Sequence, residues 1–298
     1  MEREKVRPLE KLPSRTKLIY CKLLSLMVTV EGELNQLKLA ELYRLMANIK
    51  LPSSKREQII EYIITPNKES LELICQAAIN DLNQQEKNIL RFSLMKDLMI
   101  IMGADYSESK EEREYISEIQ KIYEITEEQL EFFKNEYRTD QVFTDLKDTK
   151  LFVKHTAAKA MAIGIPITAI YFSGTFKGLG PFGILSGLLG LSKMKSHKKE
   201  SYLAGLVISI IMGFATYHSL KWIIDYNSKK NLKLQLLLKE EMRKIQDRGI
   251  RYISEDILSI DERIEDEKDT NLLIPLQELR LILEKTKGTL IHTEPHII

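Results

Sequence analysis

The sequence predicts an all-α protein, and three observations carry that expectation. Apolar residues recur at helical spacing through the first 137 positions. An uncharged, glycine-rich apolar block fills the middle of the chain, holding nine of the thirteen glycines between Gly164 and Gly213. Beyond it, Ile250, Ile253, Ile257, Ile260 and Ile264 follow a strict three-four alternation, the seam of a coiled-coil-like helix. The expected organisation is a flexible arm over 1–16, a helical domain over 17–137 and a connector over 138–156. A hydrophobic helical hairpin follows over 157–225, then an amphipathic helical hairpin over 226–290 and a tail over 291–298.

From Lys17 the apolar positions Leu18, Leu23, Leu24, Met27 and Val30 predict a first helix, stopped by Gly32. A second starts near Asn35 and puts Leu39, Leu42, Tyr43 and Met46 on one face. Leu51-Pro52-Ser53 breaks it, with Ser53 or Ser54 placed to cap a third helix through Ile59, Ile60 and Ile63 that ends at Thr65-Pro66. A shorter helix over about 69–80 and a longer one after Asn83, through Leu90, Leu94, Leu98 and Ile101, come next.

The order of events then repeats. After Gly103-Ala104-Asp105 and a polar loop comes a helix with Ile116, Ile119 and Tyr123, and Thr126-Glu-Glu-Gln129 is a capping box for another. The earlier unit, around Val30-Glu31-Gly32, has the same pattern of helix, acidic turn, helix, break and helix. Glu112 lies seven positions after Asp105, and Lys38 lies seven after Glu31.

This degenerate repeat over 17–137 resembles the TerB-like (tellurite-resistance) helical domain, an all-α family with two pseudo-equivalent halves. The resemblance implies that acidic residues from the two helix junctions meet and hold a divalent cation; here they are Glu31, Asp105 and Glu112. Hard carboxylate oxygens favour Ca²⁺ or Mg²⁺. The chain departs from the family at Tyr106, where a glycine is usual, and at Lys38, where the family has a glutamate. A purely structural role stands beside this one: Ser109-Lys-Glu-Glu112 is a capping box, and acids are common at helix junctions.

In the central block three uncharged runs follow one another: seventeen residues over 160–176, fifteen over 178–192 and nineteen over 202–220. A bilayer span needs about 20 apolar residues, so the last is the best candidate. Pro166 interrupts the first run, and Gly183 and Gly187 form a small-residue face on the second. Gly205 and Gly213 lie in the third, and Trp222 stands just beyond it, at the depth where tryptophan prefers the membrane interface. Two arrangements fit. Either 160–192 makes one broken or re-entrant span and 202–220 the return, or the runs are core helices of a soluble bundle that insert on demand.

Charge supports a lipid partner. Residues 151–230 carry ten basic and two acidic side chains, all ten basic ones lysine, between mildly acidic flanks. No Arg-rich or aromatic-interleaved face suggests nucleic acid. Two cysteines make no disulfide framework and fit a reducing compartment. The charged N-terminus has no apolar signal region. No nucleophile, base and orienting group can be assembled by spacing, so neither an enzyme nor a small-molecule substrate is expected. The C-terminal hairpin, in which Leu276, Leu279 and Leu283 face the isoleucine seam, is expected to bind a protein partner or a second copy. The resulting expectation is a non-enzymatic, bacterial inner-membrane protein with its bulk in the cytoplasm, serving stress response or defence. The alternatives are a membrane-inserting, pore-forming-like effector, and residence in the cytoplasm.

Overall fold

Helix boundaries follow local chemistry that can be read residue by residue. The computed structural model describes residues 9–65, 69–131, 163 and 231–292, with side chains left aside over 231–242. Among these residues all regular structure is helical: α1 (Ser14–Thr29), α2 (Gln36–Asn48), α3 (Ser53–Ile64), α4 (Leu71–Ile79), α5 (Gln84–Met102), α6 (Lys110–Ile122), α7 (Asn231–Asp266) and α8 (Thr270–His292). Short 3₁₀ turns cover Leu9–Lys11 and Gly103–Asp105. The Gly32 stop is borne by a left-handed backbone at φ 83°, which glycine adopts without strain. Asn35 caps α2, its side chain accepting from the Leu37 and Lys38 amides. Ser53 is not a cap: it is the first residue of α3, and Pro52, with φ already set, takes the capping position. The arm expected over 1–16 is packed from Leu9 onward, since Leu9, Leu12 and Thr16 are buried.

Two compact units divide the chain. The first comprises 1–9, 83–96 and 125–244, and the second 10–82, 97–124 and 245–298. In the first, Thr126 and Gln129 close the capping box: the Thr126 amide donates to Gln129 Oε1 at 3.1 Å, and the Gln129 amide to Thr126 Oγ1 at 3.2 Å. The other end of the same side chain donates from Nε2 to the Ile163 carbonyl at 2.8 Å. The remaining sequence expectations for the central block, including Pro166, Gly183, Gly187, Gly205, Gly213 and Trp222, lie outside the described residues, as do the connector 138–156 and residues 293–298. Among the described residues no helix is long and apolar enough to cross a membrane.

In the second unit α1 packs on α2, α3 and α4, α4 packs on α6, and α8 packs on α2 and α3. The core is the apolar stripe of each: Leu23, Leu24 and Met27 from α1, Leu39, Leu42 and Met46 from α2, all fully buried. Burying such a side chain contributes about 1.5–3 kcal/mol. Buried tyrosines are fixed by hydrogen bonds, Tyr115 Oη donating to the Leu23 carbonyl at 2.8 Å and Tyr123 Oη to the Cys75 carbonyl at 3.0 Å.

From Ile245 onward α7, together with α8, belongs to this same unit. Ile253 and Ile260 of α7 and Leu276, Leu279, Leu283 and Leu290 of α8 are buried, so the seam is closed within the chain. Gln246 Nε2 donates to the Leu290 carbonyl, and Arg280 pairs with Asp261, which makes α7 and α8 antiparallel. α7 continues helical through Gly249, where the backbone passes α2: a Cβ there would lie 3.9 Å from the Tyr43 carbonyl oxygen and 4.0 Å from the Ala47 Cβ.

Candidate functional site: a carboxylate nest closed by a lysine

Two helix starts of the repeat converge in the second unit. α2 is capped by Asn35 and has Lys38 at its third helical position; α6 is capped by Ser109 and has Glu112 at the same position. At α6 the capping box is complete, with the Ser109 amide donating to Glu112 Oε2 at 2.8 Å and the Glu112 amide to Ser109 Oγ at 3.1 Å. At α2 a lysine cannot close such a box, having no acceptor. Its side chain reaches across to the other half instead.

There the Lys38 ammonium is fully buried and ringed by three carboxylates. Glu112 Oε1 lies 2.7 Å from Nζ, Asp105 Oδ2 lies 3.1 Å away, and Glu31 Oε2 pairs with it as well. An ammonium carries one positive charge and three N–H donors, and here it is ion-paired with all three carboxylates at once. Glu112 is buried, Asp105 nearly so, and Glu31 is open on one side. Burial alone would lower the lysine pKa; the hydrogen bonds to Glu112, Glu31 and Asp105 outweigh it and hold the group above the ordinary lysine range. Neighbours hold the carboxylates in turn. Asn35 Nδ2 donates to Asp105 Oδ2 at 2.9 Å, and the Ser107 amide donates to Asp105 Oδ1 at 3.1 Å. Tyr106, between them, is 93% exposed and sits at φ 61°, a backbone region that favours glycine.

The structure therefore brings Glu31, Asp105 and Glu112 together and puts Lys38 at their focus. Ca²⁺ needs six to eight oxygens at about 2.3–2.6 Å, and Mg²⁺ an octahedron at about 2.0–2.1 Å. With the ammonium in place, the focal oxygens are already engaged by a cation that would repel a second one. The residues present do not fit a divalent ion. Among the described residues no group of three or more His, Cys, Asp or Glu side chains is arranged to hold a metal.

A second buried ionic cluster ties α3 to α7. Arg56 Nε donates to both oxygens of Asp256, at 3.0 and 3.1 Å, and Nη2 reaches Glu255 at 2.6 Å. Nη1 donates to the Leu51 carbonyl at 3.3 Å, Tyr43 Oη donates to Asp256 Oδ2 at 2.8 Å, and the Tyr252 ring lies 3.8 Å from the guanidinium carbon. Burial pushes the Asp256 carboxyl up, with Arg56 and Tyr43 opposing. No local sequence signal links these groups, because 200 residues separate Arg56 from Asp256.

The thiols offer no nucleophile. Cys21 and Cys75 are buried. Burial drives the Cys21 thiol far up, and that of Cys75 to about 11, so both stay protonated. Compared with family models, curated proteins and solved structures, the chain matches none.

Proposed function

We propose that the chain is a non-enzymatic, membrane-associated helical protein of a bacterial stress-response or defence system. In this reading the central apolar region holds it to lipid, and a folded TerB-like helical unit on the cytoplasmic side binds a protein partner. The observation that carries it is the nineteen-residue uncharged run over 202–220, bounded by Lys199-Glu200-Ser201 and Lys221, close to the length needed for a hydrocarbon core. The non-enzymatic part rests on chemistry. In the second unit Lys38 and Arg56 are each ion-paired within the fold, and both thiols are buried and protonated.

The helical unit also constrains topology. Residues 10–82 and 97–124 precede the apolar block, residues 245–298 follow it, and all belong to one unit joined through buried Arg56 and Asp256. Both flanks must then lie on the same side of any membrane, so the block crosses an even number of times. A partner would meet the outer face of the C-terminal helices, where Leu258, Ile274 and Leu281 are exposed while the inner seam is closed. Self-association through these helices uses that same outer face.

One contact favours the second reading, an effector whose apolar hairpin is held against protein until release. The Gln129 side chain is buried and bonds the Ile163 carbonyl at the start of the first run. The test is to wash membranes from expressing cells with alkaline carbonate. Chain that remains in the pellet until detergent is added supports the anchor. Chain in the supernatant overturns it in favour of the effector, which must then leak liposomes when Gln129→Ala loosens the contact.

A further inference from the structure

The resemblance in the N-terminal half implies a divalent cation, and the residues at that position do not admit one. We infer that Lys38 is the permanent cation of the Glu31–Asp105–Glu112 nest, that the native protein consequently has no response to Ca²⁺ or Mg²⁺ there, and that the nest is a latent divalent-cation site which opens only when the lysine is removed.

Three carboxylates converge from two helix junctions separated by more than seventy residues of chain, one of them fully buried. Convergence of like charges in a low-dielectric place demands a cation. The N-terminal ends of α2 and α6 and the donors from Asn35, Ser107 and Ser109 supply part of the compensation. The rest comes from Lys38, whose ammonium is completely withdrawn from solvent and aimed at the focus. The ammonium is ion-paired with one oxygen of each acid. A tethered ammonium differs from a bound ion in one respect that matters for function: it cannot dissociate. The junction is thus locked in one state, and any signal this unit relays does not arrive as a divalent cation at this position. Taking the lysine away leaves three carboxylates without their cation, and an added Ca²⁺ or Mg²⁺, with water completing its shell, would restore the balance once the acids draw in around it.

The test is thermal unfolding of the full-length chain in mild detergent, followed by far-UV circular dichroism in EDTA and in millimolar CaCl₂ or MgCl₂. Wild type should melt at the same temperature in all three. Lys38→Ala should melt lower in EDTA and recover by several degrees with Ca²⁺ or Mg²⁺, and the recovery should vanish when Asp105→Asn is added. Lys38→Met, which keeps the stem and removes only the charge, repeats the experiment should the alanine variant be poorly folded. A wild-type chain that gains stability from either ion overturns the inference, because Lys38 would then not be the resident cation. Variants that lose stability and respond to neither ion, or that fail to fold even with Ca²⁺, overturn the latent site.

Discussion

Glu41 is a carboxyl buried in α2, paired to Arg44 on the same helix and pushed upward by burial, with the Arg44 guanidinium opposing and the Asp97 carboxylate adding to the rise. A carboxyl whose folded pKa lies above its unfolded one binds its proton more tightly in the folded state. Its stabilising contribution is therefore present at low pH and is lost as pH rises from the ordinary glutamate value through the raised one. Glu41→Gln keeps an acceptor for Arg44 and removes the titration. The variant should melt above wild type at neutral pH, and the difference should shrink on acidification. A difference that stays constant across that range would contradict the assignment. At the same scale, Asp105, Glu112 and Glu31 were legible as a group only through the family resemblance that the repeated turn-to-helix pattern carries. The reach of Lys38 was not. A sequence places a lysine on a helix, but which half of a repeat its four-carbon stem crosses to is decided by tertiary packing.

At the scale of elements, the Arg56–Asp256 joint decides whether the C-terminal helices are a separate module. They are not, in the described structure: the pair is buried between α3 and α7. Removing one partner strands the other charge away from water, so Arg56→Ala and Asp256→Ala should each cost about 3–5 kcal/mol in denaturant unfolding. The double variant should cost well under their sum, since the groups act as one unit. Additive losses would mean the two residues do not meet. Helix starts and stops were legible where side chains set them locally, as at Gly32, Asn35 and the Ser109–Glu112 box. The isoleucine seam was legible too, because a three-four spacing states that a face is buried. Its pairing with the Leu276, Leu279 and Leu283 stripe was expected; that α8 also packs on α2 and α3 was not, since those helices lie far away in the chain.

At the scale of the whole molecule, the second compact unit is built from residues on both sides of the apolar block. Residues before and after that block share one core, held by Arg56, Asp256 and the α8 leucines. This closure turns a membrane expectation into a topological one. Three crossings are incompatible with it, and two fit the pair of candidate spans, with the bulk of the flanks outweighing the lysines around Lys195 in setting orientation. The measurement that tests this most directly is labelling of single cysteines with a membrane-impermeant thiol reagent in intact spheroplasts. The native thiols are buried and silent. Ser54→Cys and Lys268→Cys report the two flanks, both exposed on the folded unit, and Lys195→Cys reports the loop. Labelling is expected at position 195 alone, with 54 and 268 reacting only after the membrane is opened. Opposite protection of 54 and 268, or one identical pattern at all three positions, would contradict it.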